Sequence, residues 1–211
     1  MKPKAYQTKK IEWYDREFYI DEAVLIPRPE TEFLTEEAIK YAKKIKSGTI
    51  YDIGTGSGVI AATMARHLPE ADVIGTDISR PALKVAKKNG KGLKNLRFQK
   101  ADLLPEGAKP DLIIANLPYV DKNWSWVDKN LAYEPEIALF AGEGGLAIYR
   151  RLLETTEKGI PTIVEIDPCQ AEALSKMAKE YGRKTEKLTD YAYLITGLPK
   201  SSKSLAHKAM V

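Results

Sequence analysis

The sequence predicts an α/β fold in which a mostly parallel sheet of seven strands carries helices on both faces and is preceded by a β-hairpin. Short apolar runs alternate with helical stretches through most of the chain, and the last two runs are separated by two residues. Alternating strands and helices indicate a parallel sheet covered on both faces. The closely spaced last pair indicates an antiparallel hairpin at the sheet edge.

The elements follow from the periodicity in order. Aromatic and apolar residues flank a polar centre at residues 11–21, which predicts the hairpin. Two prolines, Pro27 and Pro29, precede an amphipathic helix at 31–46. The seven predicted strands are 50–53, 73–76, 96–99, 112–115, 162–166, 184–188 and 192–196. The other predicted helices are 58–67, 80–89, 147–157 and 171–181. We expect an N-terminal segment at 1–24, one domain at 25–197 and a basic flexible tail at 198–211.

The composition and charge of the sequence exclude several classes of protein. The chain is 44% hydrophobic and 29% charged, which is typical of a folded globular protein. Its net charge of +4 comes mostly from Lys200, Lys203 and Lys208 in the tail, so a nucleic-acid partner is not indicated. The single Cys169 suits a reducing compartment, and no run approaches the roughly 18 apolar residues of a membrane helix. Neither of the two histidines belongs to a sequence pattern of metal ligands, so we predict no metal site. We expect a monomeric cytoplasmic protein.

A glycine-rich loop joins the first strand of the large sheet to a helix. It reads Gly54-Thr55-Gly56-Ser57-Gly58. Glycine lets the backbone turn sharply and approach a ligand, and a helix start presents unpaired N–H groups. The carboxyl ends of parallel strands are the expected ligand site of an open sheet. The sequence therefore predicts a polar ligand at this loop.

The spacing of acidic residues around the loop indicates which ligand. The loop is G-x-G-x-G, not the dinucleotide pattern G-x-G-x-x-G, and Asp52 precedes it. A carboxylate attracts a sulfonium cofactor that also carries an ammonium group. Asp77 ends the second strand, where it can accept bonds from ribose hydroxyls, and Asp102 and Leu103 follow the third, where an adenine can lie. These features favour S-adenosylmethionine; the alternative is a tight turn, with Asp77 as a helix cap.

The tetrapeptide Asn116-Leu117-Pro118-Tyr119 follows the fourth strand. Leu117 precedes a proline and is extended, and Pro118 has a fixed φ, so the loop is stiff. It can hold the side-chain oxygen of Asn116 and a neighbouring main-chain carbonyl as two acceptors, with Tyr119 offering a flat ring. The alternative is an ordinary turn at the end of a strand.

Two acceptors and a ring suit a planar NH2 group. The nitrogen of an amide or aromatic amine is a poor nucleophile, and acceptors on both of its protons favour the positive charge that develops in the transition state. Methyl transfer is an in-line displacement that gains from orientation and needs no strong base. We therefore predict Asn116, Pro118 and Tyr119 as catalytic residues, with the whole tetrapeptide binding the substrate.

The order of these motifs resembles a class I S-adenosylmethionine-dependent methyltransferase with a Rossmann-like sheet, and the tetrapeptide resembles the N-P-P-Y of enzymes that methylate planar nitrogen. Three further segments resemble the HemK/PrmC family: residues 25–32 (LIPRPETE), residues 133–139 (YEPEIAL), and Glu165-Ile166 with Gln170. That family methylates the side-chain amide of the glutamine in the Gly-Gly-Gln motif of class I peptide-chain release factors.

The resemblance implies a role for each matching residue. The glycine loop and Asp77 would hold the methionine part and the ribose, and Asp102 and Leu103 the adenine. Pro29 and Thr31 would lie near the methionyl end, and the tetrapeptide would hold the target amide. The predicted cofactor-binding residues are Pro29, Thr31, Gly54, Thr55, Gly56, Ser57, Gly58, Asp77, Asp102, Leu103 and Asn116. For Arg28 and Glu30 the alternative is a local ion pair at a helix start.

The chain departs from the family pattern in two ways. Leu117 stands where the family usually has proline, which is tolerable if only the main-chain carbonyl is used. Family members usually carry a helical domain ahead of the hairpin that helps to grip the release factor, and the residues before the hairpin are too few for one, so we expect weaker substrate affinity or another gripping surface. Two alternatives stay open: an adenine amino-group methyltransferase acting on RNA or DNA, and a non-catalytic cofactor-binding module.

Overall fold

A two-stranded hairpin and a seven-stranded sheet form the framework of the structure, a computed structural model that describes residues 2–14, 16–125 and 129–198. The strands are β1 Lys10–Trp13, β2 Arg16–Tyr19, β3 Thr49–Ile53, β4 Asp72–Asp77, β5 Leu96–Lys100, β6 Leu112–Ala115, β7 Thr162–Glu165, β8 Arg183–Lys187 and β9 Ala192–Gly197. The helices are α1 Lys4–Thr8, α2 Pro29–Ile45, α3 Val59–His67, α4 Arg80–Asn89, α5 Glu136–Leu139, α6 Ala147–Thr155 and α7 Ala171–Glu180. Two 3-10 turns lie at Lys129–Tyr133 and Pro168–Gln170.

The large sheet has the order β5-β4-β3-β6-β7-β9-β8. The first five of these strands are parallel, and β9 runs antiparallel to both β7 and β8. The predicted seven-stranded, mostly parallel sheet with an antiparallel end and a leading hairpin is confirmed. Because parallel strands end at one edge, the loops after β3, β4, β5 and β6 meet there.

Two apolar layers cover the sheet. Alternate residues of β3 point to opposite faces, so Ile50 packs with α2 and α3, whereas Tyr51 and Ile53 pack with α6 and α7. This arrangement buries both faces of the central strands, and it explains why those strands are continuous apolar runs.

The N-terminal segment packs against the rest of the chain. Tyr6 is buried, and its hydroxyl donates to the carbonyl oxygen of Val24 at 2.6 Å. The indole nitrogen of Trp13 donates to Oγ1 of Thr63 at 3.2 Å. Asn89 bonds to both the main-chain nitrogen and the oxygen of Tyr19, at 2.8 and 2.9 Å. These contacts fix the hairpin against α3 and α4.

Predicted and observed elements differ mainly at their ends. The helix expected at 31–46 begins at Pro29, because proline suits the first helical position, where no N–H partner is needed. The helix expected at 147–157 ends at Thr155, because Thr156 is extended. Helices α1 and α5 have five and four residues, too few to show a period. Of the tail predicted at 198–211, only Leu198 lies within the described residues. Within the described ranges, no helix is both long and apolar enough to span a membrane.

Candidate active site

A cavity of about 240 Å³ lies where the loops after β3, β4, β5 and β6 meet. Leu25 and Pro27, from the segment between the hairpin and α2, and Ile137 of α5 complete its lining. The predicted site residues that line the cavity are Thr31, Gly54, Thr55, Gly56, Ser57, Asp77, Asp102, Leu103, Asn116, Leu117 and Pro118. The motifs singled out from the sequence therefore converge on one cavity.

Three predicted site residues do not line it. Pro29 starts α2, two residues before Thr31, which does line the cavity. Gly58 caps α3, and a Cβ there would lie 2.9 Å from Cβ of Ala86, so this glycine serves helix packing. Tyr119 directs its hydroxyl to buried Glu165. For these three residues, the expected contact with a ligand stays a prediction.

The glycine loop needs its first glycine for close approach to the tetrapeptide. Gly54 has φ +71°, a conformation that L side chains rarely adopt. A Cβ at Gly54 would lie 2.8 Å from Cδ2 of Leu117. Leu117 is itself buried, so its side chain fixes the spacing between the two loops. The non-proline residue at this position thus has a packing role that the sequence did not reveal.

Asp52 is buried and does not line the cavity, and its side chain contacts the glycine loop at Thr55. Its Oδ2 accepts bonds from Oγ1 of Thr55 at 2.5 Å and from the main-chain nitrogen of Ala61 at 3.2 Å. Burial raises the pKa of this carboxyl group to about 7, against the lowering effect of the two hydrogen bonds. The expectation that Asp52 attracts a positively charged cofactor directly is corrected: the carboxyl group is buried beneath the loop.

Asp52→Asn is expected to change how stability depends on pH. The pKa of Asp52 is raised on folding, so its contribution is favourable at low pH and is lost as pH rises from about 4 to about 7. The free energy of unfolding of the variant, relative to that of wild type, should therefore increase by about 2 to 3 kcal/mol between pH 5 and pH 8. Urea unfolding of both proteins at the two pH values measures this. If the unfolding free energies of variant and wild type differ by the same amount at both pH values, the raised pKa of the buried carboxyl group is contradicted.

Asp77 is held as an acceptor at the end of β4. Its Oδ2 accepts from the main-chain nitrogen of Gly56 at 2.9 Å and its Oδ1 from that of Ser79 at 2.8 Å. Each carboxylate oxygen can accept a second bond, so lone pairs remain for a diol in the cavity. The side chain that caps α4 is Ser79, which accepts from the nitrogen of Ala82. The alternative of Asp77 as the cap of that helix is therefore wrong.

Asp102 and Leu103, in the loop after β5, also line the cavity. Asp102 pairs with Nη2 of Arg151 at 2.7 Å, and both side chains are about half exposed. Leu103 is buried with φ +65°, and its carbonyl accepts from Oγ1 of Thr76 at 2.9 Å. Arg151 was not predicted, because its position in α6 lies far along the sequence from Asp102.

Hydrogen bonds from two later elements fix the tetrapeptide. The nitrogen of Leu117 donates to the hydroxyl of buried Tyr149 at 3.1 Å, and that hydroxyl donates to the carbonyl of Glu165. The carbonyl of Tyr119 accepts from Nε2 of Gln170 at 2.9 Å. The stiffness inferred from Pro118 is thus reinforced by α6 and by the turn after β7.

Asn116 has a defined side-chain orientation. Its Nδ2 donates to Oγ1 of Thr31 at 3.0 Å. Its Oδ1 accepts no hydrogen bond from any residue that the structure describes. Because Asn116 lines the cavity, this oxygen is available to accept a bond from a ligand.

An ion pair joins the segment before α2 to the segment before α5. Nη2 of Arg28 lies 2.5 Å from Oε1 of Glu134, and Oε2 of Glu134 accepts from the nitrogen of Ile26 at 3.0 Å. Glu134 is buried. Arg28 therefore pairs with Glu134, 106 residues away, and not with its neighbour Glu30, which corrects the local pairing weighed from the sequence.

Arg28→Ala is expected to lower the free energy of unfolding by about 2 kcal/mol, because it leaves the buried Glu134 carboxylate without its charge partner. Arg28 is partly exposed, so the loss is smaller than for a fully buried pair. Chemical unfolding measures it. Lys40→Ala, which removes the surface ion pairs of Lys40 with Glu36 and Glu37, is the control and should leave the unfolding midpoint unchanged. Equal effects of the two variants would contradict the buried pair.

The sheet order, the glycine loop after its central strand and the acidic end of the next strand define a class I S-adenosylmethionine-dependent methyltransferase. A family model described as a methyltransferase domain matches residues 44–191. The fold is shared with ribosomal protein L11 methylase from Lactobacillus delbrueckii subsp. bulgaricus, at TM-score 0.58 and 22% identity over 83% of this chain and 82% of that one. The catalytic domain of hMettl16 gives TM-score 0.66 at 16% identity, over 87% and 75%.

The chain belongs to the family of release factor glutamine methyltransferases. The relative from Deinococcus radiodurans is 32% identical over 87% of this chain and 69% of that protein. Those from Streptococcus pneumoniae and Clostridium acetobutylicum are 42% and 36% identical over 72% and 74% of this chain. The match spans only 56% and 58% of those two proteins.

Proposed function

We propose that this chain transfers a methyl group from S-adenosylmethionine to the side-chain amide nitrogen of the glutamine in the Gly-Gly-Gln motif of a class I peptide-chain release factor. Membership of the family supports this reaction over adenine methylation and over a non-catalytic binding module. The observation that carries the proposal is the orientation of Asn116, whose side-chain oxygen is available at the cavity while its nitrogen is bound to Thr31.

The residues around the cavity fit the cofactor. Gly54 and Gly56 give a backbone without side chains at the loop, and Asp77 offers carboxylate lone pairs for ribose hydroxyls. Leu103 gives an apolar side chain, and Asp102 accepts from Arg151 but keeps acceptor capacity. When bound, S-adenosylmethionine supplies an electrophilic methyl group on a sulfonium. We assign this cavity to it.

The tetrapeptide would orient the target nitrogen. Oδ1 of Asn116 and the main-chain carbonyl of Leu117 accept one bond each from the amide NH2 group. Both oxygens stabilise the positive charge that develops on nitrogen as it gains a methyl group, more than they stabilise the neutral amide. Pro118 limits the motion of these acceptors, and Tyr119 supports the loop through Glu165. The surplus proton leaves the methylated nitrogen to water.

Several expectations accompany this function. We propose residues 25–197 as the catalytic unit, with the N-terminal hairpin packed against it. A release factor is a protein of the translation apparatus, which favours a cytoplasmic enzyme with no nucleic-acid substrate. We also propose that the enzyme is a monomer.

The test is label transfer from S-adenosylmethionine carrying a labelled methyl group to a purified release factor. One substrate keeps the glutamine of Gly-Gly-Gln, and the matched substrate has alanine there. We expect labelling of the first and none of the second. Equal labelling of both, or of neither at high substrate concentration, would overturn the proposed function.

A further inference from the structure

A buried carboxyl group lies behind the tetrapeptide. Glu165 ends β7 and is inaccessible to solvent. Its Oε1 accepts from the hydroxyl of Tyr119 at 3.2 Å. Thr31 and Asn116 also interact with this carboxyl group and lower its pKa, whereas Oε2 makes no hydrogen bond of ordinary geometry with the residues described. Three polar side chains, one from α2 and two from the tetrapeptide, thus face one carboxyl group that the proposed mechanism does not itself use.

An ionised carboxylate accepts hydrogen bonds and donates none, so it selects the orientation of its neighbours. The Thr31 hydroxyl accepts from Nδ2 of Asn116 at 3.0 Å, which leaves the hydroxyl hydrogen to donate. The acceptor beside it is Glu165. Nδ2 of Asn116 donates to Thr31, and both side chains interact with the Glu165 carboxyl group, so a carboxylate there favours donors directed towards it.

The opposite orientation of Asn116 is unfavourable in this environment. It would place Oδ1 beside the carboxylate, where two acceptors would face each other without a hydrogen between them. It would also present Nδ2, a donor, to the NH2 group of a target amide, which needs acceptors. A flipped Asn116 therefore removes half of the acceptor pair assigned to the tetrapeptide.

We propose that Glu165 and Thr31 are positioning residues that fix the side-chain amide of Asn116, so that its oxygen and not its nitrogen is presented to the target NH2 group. The same carboxyl group holds the hydroxyl of Tyr119. This inference rests on the proposed function of the cavity, and it assigns a role in the reaction to two residues that do not touch the target nitrogen.

The charge state of Glu165 connects this role to pH. The pKa of Glu165 is raised to about 7, because the effect of burial, to which nearby Glu30 adds, outweighs the lowering effect of Thr31, Tyr119 and Asn116. The hydroxyl of Tyr149 donates to the main-chain carbonyl of Glu165 and not to its carboxyl group. Below about pH 7 the carboxyl group carries a proton and can donate, so it no longer selects the inward-donor orientation. Turnover should therefore rise as pH increases through about 7.

The experiment compares Thr31→Val, Thr31→Ser and Glu165→Gln with wild type. Valine has the shape of threonine without its hydroxyl, serine keeps the hydroxyl, and glutamine can both donate and accept. We expect kcat for the release factor to fall about 10- to 100-fold in Thr31→Val and Glu165→Gln and to stay within about threefold in Thr31→Ser. Cofactor affinity by calorimetry should stay within about threefold in Glu165→Gln, because Glu165 does not line the cavity. The rise of kcat with pH should disappear in Glu165→Gln.

A second readout needs no turnover. Hydrogen exchange of the Asn116 side-chain NH2 group, assigned by its loss in Asn116→Ala, should be slow in wild type and Thr31→Ser and fast in Thr31→Val. If wild type does not methylate the release factor, the proposed function fails, and slow exchange still supports the orientation. Equal exchange in all three proteins, or Thr31→Val with the kcat of Thr31→Ser, would overturn the positioning role.

Discussion

Asn116→Ala is expected to lower the single-turnover rate of methyl transfer by about 100- to 1000-fold, the usual effect of removing one oriented group that stabilises a developing charge. The side chain lines the cavity, and its oxygen has no competing partner among the described residues. Since alanine removes an acceptor needed mainly in the transition state, affinity for S-adenosylmethionine should stay within about threefold. Rapid-quench kinetics and calorimetry measure the two quantities.

Asn123→Ala is the matched control. Asn123 is exposed and bonds to Asp121 in the loop after the tetrapeptide, away from the cavity lining. It should keep the wild-type rate, and thermal melting of both variants checks that they are folded. A folded Asn116→Ala protein with the wild-type rate would contradict the acceptor role of Asn116.

Gly145→Ala is expected to destabilise the protein by more than about 3 kcal/mol and to disturb the site. A Cβ at Gly145 would lie 1.9 Å from the carbonyl oxygen of Tyr119 and 2.3 Å from Nε2 of Gln170. These are the two atoms of the hydrogen bond that fixes the end of the tetrapeptide. The backbone must shift to admit a methyl group, so both the unfolding free energy and the transfer rate should fall.

Gly144→Ala separates this clash from backbone strain. Gly144 also has a positive φ, +64° against +88° at Gly145, but a Cβ there would have no atom within 4 Å. Its expected cost is about 1 to 2 kcal/mol, the penalty of a left-handed conformation alone. Urea unfolding of the two variants gives the difference. Equal losses of unfolding free energy in the two variants would show that the close contact between Gly145 and Tyr119 does not limit what position 145 accepts.

The fold could be predicted because its elements repeat a simple pattern. Continuous apolar strands and amphipathic helices alternate from residue 49 onward, so the sheet and its antiparallel end follow from periodicity. Helices α1 and α5 could not be predicted, because each has about one turn and its position depends on tertiary contacts such as the Tyr6 hydroxyl with Val24.

The cavity residues could be predicted where they belong to one loop at a strand end, as with Gly54, Asp77 and Asn116. The contacts that orient the loops could not be predicted, because they join distant parts of the chain. Thr31 lies 85 residues from Asn116, and Arg28 lies 106 residues from Glu134. Asp52 shows the reverse error: its neighbours in sequence suggested a ligand contact, and only the structure shows that it is buried beneath the loop.

The most direct test of the central claim is a competition for one pool of S-adenosylmethionine with a labelled methyl group. The reaction contains the chain, a release factor with an intact Gly-Gly-Gln motif and an unpaired RNA rich in adenine. The account predicts that peptide mapping by mass spectrometry finds the label on the amide nitrogen of that one glutamine. Label on adenine amino groups, or cofactor binding with no label on either substrate, would contradict it.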